Sequence, residues 1–159
     1  ALGTETGEPD IMNSPPRPTN ERIVNRFMAN GIIIQTVAIT VATLTAYLAG
    51  LAYYSDLPNV ATTMAFVTLS VSELLRAFTA RSERYPLYKI GVFSNKYMNM
   101  AFVTSLVLLL VVVYIPFLQS IFNTTALGWE QWRMILPLLF IPALAAEVGK
   151  FITTWRRGE

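Results

Sequence analysis

Four apolar runs, each long enough to cross a bilayer, take up most of this 159-residue chain and rule out almost every water-soluble architecture. A spanning helix needs roughly 20 mostly apolar residues. The runs are Gly31–Tyr54, Asn59–Phe78, Lys96–Phe117 and Trp132–Trp155, with short polar breaks between them. The fold class that follows is an all-α membrane protein with four transmembrane helices. Residues 1–29 form a cytosolic loop and lead-in, and residues 30–159 the four-helix domain.

The placement of charge orients the spans. Arg17, Arg22 and Arg26 precede the first run, Arg81, Arg84, Lys89 and Lys96 lie between the second and third, and Arg156 and Arg157 follow the last. The other two connections, Ser55–Pro58 and Leu118–Gln131, carry Asp56 and Glu130 and no basic residue. By the positive-inside bias, both termini and the middle loop face the cytosol. An even number of spans demands that agreement. The basic side of the membrane suits anionic headgroups. Split among three short loops, these residues make no nucleic-acid surface, so the partners expected from composition are lipid and other membrane helices.

A chain that is 53% hydrophobic and 14% charged would leave too little polar surface if it folded in water. It has no Cys and no His. Disulfides, thiolate chemistry, imidazole ligands and imidazole bases are therefore excluded. The start at Ala1 rather than Met, with nearly thirty polar residues before the first run, leads to the expectation that the chain is part of a longer one.

Pro15-Pro16-Arg17-Pro18 is expected to be extended, close to polyproline II, and Asn20 to cap a short helix through Phe27. In the first span Thr36, Thr40, Thr43 and Tyr47 share a helical face. That stripe predicts a helix–helix contact, with an ion path as the alternative. The third span is apolar around its whole circumference from Ala101 to Val113, which predicts a peripheral helix facing lipid. Tyr97, Tyr114, Trp129, Trp132 and Trp155 fit interfacial belts. Pro137 and Pro142 are expected to bend the fourth span. Asn123-Thr124-Thr125 matches a glycosylation acceptor on the side facing away from the cytosol.

Glu73 lies well inside the second span among apolar neighbours. A charge at that depth costs several kcal/mol, so such carboxylates usually face a protein interior. Arg76 follows at i+3 on the same face, and Thr62, Phe66, Leu69 and Ser70 continue that face along the helix. Two readings stay open. The pair neutralises itself and joins helices, or Glu73 lends oxygen to a cation whose other ligands lie outside this chain. Hard cations such as Ca²⁺ require several oxygen ligands at once. Glu147 and Lys150 repeat the spacing near the cytosolic end of the fourth span and read as a local ion pair touching the Arg81–Lys89 loop.

Ala1-Leu2-Gly3, Pro9-Asp10-Ile11-Met12 and Pro15-Pro16-Arg17 together resemble the cytosolic loop after the sixth transmembrane helix of P-type cation-transporting ATPases, in the calcium-pump subgroup. The stretch from Glu73 to Glu83 (ELLRAFTARSE) resembles their eighth helix and its exit. Leu127 through Trp132 and Glu147-Val148-Gly149-Lys150-Phe151-Ile152 are similar to the approach to the tenth helix and its E-x-x-K-F-I stretch. The resemblance implies that the four spans are helices seven to ten of an ATP-driven Ca²⁺ export pump, with Mn²⁺ and Na⁺ as alternative ions. It implies that Glu73 is a candidate Ca²⁺ ligand at one site. The remaining ligands, the phosphorylated aspartate of the D-K-T-G-T motif, and the ATP and Mg²⁺ sites would lie upstream. The upstream helices and cytosolic domains of the same pump are then the partners, and the cell membrane the location.

One position departs from the family. Two-site calcium pumps carry Asn three residues after this glutamate, where Arg76 stands here. A guanidinium keeps its charge when buried. Arg76 is therefore expected to act as a built-in counter-cation, modulating the site so that the intact pump binds one Ca²⁺ per cycle. The alternative to the pump is a small non-enzymatic four-helix membrane scaffold or carrier. A soluble enzyme is excluded, because no acid–base or nucleophile constellation assembles.

Overall fold

The computed structural model of the chain describes residues 26–81 and 91–157, with Gly3 and Leu87; for residues 26, 27 and 151–157 it describes the backbone alone. The expected Pro15–Pro18 segment, the Asn20 cap, Arg17, Arg22, Arg84 and Lys89, and the side chains of Trp155, Arg156 and Arg157 lie outside the described parts. The helices are α1 (Arg26–Tyr53), α2 (Pro58–Thr79), α3 (Lys96–Tyr114), α4 (Pro116–Phe122) and α5 (Trp129–Arg157). Four of them, all but α4, are long and apolar enough to cross a membrane. No strand occurs among the described residues.

α1, α2 and α5 pack mutually, and α3 leans on α2 from outside. The seam between α1 and α2 is built from small residues. Ala42, Ala46 and Gly50 of α1 are buried, as is Ala61 of α2. A Cβ on Gly50 would lie 2.5 Å from the Cα of Ala61, so the two backbones approach as closely as glycine allows. The core continues through Met64, Val67 and Val71 of α2 to Ile135 and Leu139 of α5, and to Leu109 and Val113 of α3.

The threonine stripe of α1 is not the packed face. Thr36, Thr40 and Tyr47 are exposed, and only Thr43 is partly buried. The packed face, centred on Ile39, Ala42 and Ala46, lies about a quarter turn away. Close approach is limited by side-chain bulk at the contact, and alanine and glycine offer less of it than threonine. Hydroxyls do serve α2: Thr63 and Thr68 each donate to the carbonyl four residues earlier, at 2.7 Å.

α3 starts where the Asn95 side chain accepts the Met98 N–H at 3.0 Å. It stops at Tyr114, short of the expected Phe117, because Pro116 cannot continue it. Proline disfavours the helical conformation in the residue before it, and Ile115 sits at φ −87°, ψ 118°. Pro116 then opens α4, about two helical turns that run on into the connection expected from Leu118 onward. Proline also brings no N–H to the carbonyl four residues back, that of Val112. The Thr124 hydroxyl donates to it instead, at 2.9 Å. Gln119 Nε2 donates to the next carbonyl, Val113, at 2.6 Å. A broad face of α3 looks outward, as its composition predicts: Met100, Val103, Val107 and Leu108 are exposed.

α5 begins at Trp129, earlier than expected, and runs unbroken through Pro137 and Pro142. At this end of the bundle Trp132 Nε1 donates to the Tyr114 hydroxyl at 2.7 Å, which donates to the Leu127 carbonyl at 2.8 Å. The Thr125 N–H donates to Thr63 Oγ1 at 2.9 Å, tying the loop to α2. Arg133, exposed in the second turn of α5, is a basic residue at the end where the loops carry none. At the opposite end Arg81 holds the connection into α3, donating to the Gly91 carbonyl at 2.8 Å and to Ser94 Oγ at 2.6 Å.

Candidate functional site

Burial on α2 defines which of its side chains are available. Val60, Ala61, Met64, Val67, Thr68, Val71, Ser72, Phe78 and Thr79 are buried against the other helices, which uses more than half of the circumference. The strip left open contains Thr62, Leu69, Glu73 and Ala80. Glu73 therefore points away from the helices described here, its side chain 48% exposed and that of Arg76 38% exposed. Arg76 Nη1 donates to Glu73 Oε2 at 3.2 Å, the i, i+3 pair expected from spacing.

The sequence does not show what holds the other side of Arg76. Its Nε donates to Gln35 Oε1 of α1 at 2.9 Å. Gln35 Nε2 in turn faces Thr79 Oγ1 at 3.5 Å, and that hydroxyl donates to the Arg76 carbonyl at 3.0 Å. Lys150 of α5 donates to the Thr79 carbonyl at 2.5 Å and pairs with Glu147 Oε1 at 3.1 Å. Glu147 Oε2 accepts the Leu87 N–H at 2.8 Å, so this ion pair does meet the connection after α2 as expected. The two i, i+3 pairs thus belong to one polar network crossing α1, α2 and α5. Gln35 was the visible signal: a lone amide in an apolar span needs a partner on another helix.

A cavity of about 200 Å³ lies beside this network between the same three helices. Gln35, Arg76, Thr79 and Lys150 line its polar side, and Ile32, Ile34 and Ala145 its apolar wall.

Among the described residues no group of three or more carboxylate, His or Cys side chains comes together. Glu73 alone falls far short of the six to eight oxygens that Ca²⁺ takes, and Arg76 offsets its charge. Among the described residues, then, no complete cation site assembles. At the far end, the Tyr54 hydroxyl donates to Glu130 Oε2 at 3.5 Å.

A family model described as the C-terminus of cation-transporting ATPases matches residues 1–152, a stretch that takes in Glu73, Arg76 and most of α5. The chain belongs to that family. Among its relatives, calcium-transporting ATPase 1 of Lactococcus lactis is 35% identical over 96% of this chain and 17% of its own length. Calcium-transporting ATPase 1 of Yarrowia lipolytica is 36% identical over 80% of this chain and 14% of its own length. The calcium-transporting ATPase of Bacillus subtilis is 33% identical over 89% of this chain and 16% of its own length. This cation-ATPase C-terminal chain therefore spans less than a fifth of the curated relatives it matches. Membership, together with four helices long and apolar enough to cross a bilayer, makes it an integral membrane protein.

Proposed function

We propose that the chain is the C-terminal membrane support domain of an ATP-driven pump that exports Ca²⁺, and that it lends Glu73 to the ion site or its margin. One observation carries this: Glu73 is an intramembrane carboxylate left half exposed on the open face of α2, in a family whose relatives are named calcium-transporting ATPases. A carboxylate in hydrocarbon needs a polar enclosure. Helices from upstream in the same polypeptide would supply it, together with the remaining oxygen ligands. ATP and Mg²⁺ would act in upstream cytosolic domains, and the α1–α2–α5 packing would give the moving helices a fixed wall. Both termini and the α2–α3 connection would face the cytosol, and the cell membrane would be the location.

The test is Glu73→Gln in the intact pump. A neutral isostere removes the charge a hard cation needs, so half-maximal activation should shift to roughly ten-fold or more higher Ca²⁺. Unchanged affinity with lowered stability would return Glu73 to a packing role. Competition by Mn²⁺ and Na⁺ in the same assay decides the ion.

Arg76 bears on stoichiometry. Its guanidinium lies 3.2 Å from Glu73 and occupies space and charge that a second cation would need. We expect one Ca²⁺ bound per pump, measured by equilibrium binding of radiocalcium against phosphorylation-site number. Two ions bound by the unaltered pump would refute the counter-cation role; Arg76→Ala should change the count or the affinity.

A further inference from the structure

We propose that Gln35 is a positioning residue for the ion site: by holding the Nε of Arg76 it denies Glu73 the two-pronged contact through Nε, fixes the guanidinium where Nη1 alone reaches the carboxylate, and leaves Glu73 Oε1 open to a divalent cation. The inference rests on the reading of Glu73 as a ligand or near-ligand. A guanidinium beside a carboxylate commonly makes two parallel hydrogen bonds, with N···O near 2.7–2.9 Å. Here one bond is made, from Nη1 to Oε2, and at 3.2 Å it is long for a charge-assisted contact. Oε1 of Glu73 accepts no hydrogen bond among the described residues. The shorter bond from Arg76 runs the other way, from Nε to Gln35 at 2.9 Å.

The Gln35 amide can take only one orientation. Arginine has donors and no acceptor, so Oε1 of the amide must face Nε. Nε2 then faces Thr79 Oγ1, whose own hydrogen is committed to the Arg76 carbonyl. Gln35 reads as a cross-helix strut that draws the guanidinium away from Glu73. Without it, the acceptor of opposite charge beside the guanidinium is Glu73. The adjoining cavity offers the neutral side chains of Asn30 and Thr79, the Lys150 ammonium, a like charge, and the apolar wall of Ile32, Ile34 and Ala145. A carboxylate outcompetes the neutral acceptors for a guanidinium. The pair should close into a two-pronged clasp that competes with the cation for both carboxylate oxygens.

Equilibrium radiocalcium binding to the intact pump tests this without depending on turnover. Gln35→Leu should weaken Ca²⁺ binding about ten-fold, the scale of one added charge-assisted hydrogen bond on the competing side. Gln35→Glu, which still accepts from Nε, should keep affinity within about two-fold of the parent. Combining Gln35→Leu with Arg76→Gln removes the competitor and should restore affinity to that of Arg76→Gln alone. Where leucine prevents folding, Gln35→Asn, polar but too short to reach Nε, carries the same expectation. Unchanged affinity in the Gln35 variants overturns the inference. So does a loss that persists when Arg76 is removed, since a packing role predicts that result. If Glu73→Gln leaves affinity unaltered, the reading of Glu73 fails first. If Glu73→Gln weakens binding and Gln35→Leu does not, the Gln35 inference alone is overturned.

Discussion

At the scale of single residues, the chain relies on a few positions where nothing else fits. Gly50 is the clearest. Alanine is favoured over glycine inside a helix by about 1 kcal/mol, which on its own would make Gly50→Ala stabilising. The added carbon would lie 2.5 Å from the Ala61 Cα, however, and a backbone atom cannot rotate out of the way. Overpacking of this kind costs about 1–3 kcal/mol. The contact should win: Gly50→Ala should lower the thermal midpoint in detergent, whereas Gly31→Ala, which meets nothing within 4 Å, should hold or raise it. A Gly50→Ala variant as stable as the parent would mean that the α1–α2 seam has more slack than its geometry shows.

At the scale of elements, the break between α3 and α4 shows how a helix end is finished when proline removes a donor. Thr124→Val keeps the shape of the side chain and deletes the hydroxyl that serves the Val112 carbonyl. A buried acceptor left without a donor costs about 1–3 kcal/mol. The loss should shrink when Pro116→Ala is added, because alanine restores a backbone N–H to that carbonyl. A double variant no more stable than Thr124→Val would place the cost elsewhere. The same element shows what a sequence can reveal. Spans α1, α2, α3 and α5 were legible because hydropathy and length are properties of contiguous residues. The Glu73–Arg76 and Glu147–Lys150 pairs were legible because i, i+3 neighbours meet on any helix. The Gln35–Arg76 bond joins residues 41 apart, and no local pattern encodes which faces of α1 and α2 meet. The threonine stripe was ambiguous for a related reason. It marks a face suited to contact but does not say that smaller residues a quarter turn away would take the contact first.

At the scale of the whole molecule, the division of labour is between a packed three-helix wedge and the surfaces it leaves open. Glu73, Thr36 and Thr40 stay exposed after α1, α2 and α5 have packed. An isolated preparation of this chain in detergent should be helical by circular dichroism and yet show no saturable Ca²⁺ binding, since among the described residues too few oxygens converge. Micromolar binding by the isolated chain would contradict the proposal that the other ligands come from upstream. The wedge is also unequal along its length. At the Gly50–Ala61 end α1 and α2 have no clearance, while at the other end a cavity parts both from α5 beside Arg76 and Lys150. Like a pair of tongs, the body is joined tightly at the rivet and parted toward its tips, and Glu73 is carried on the half that leads to them.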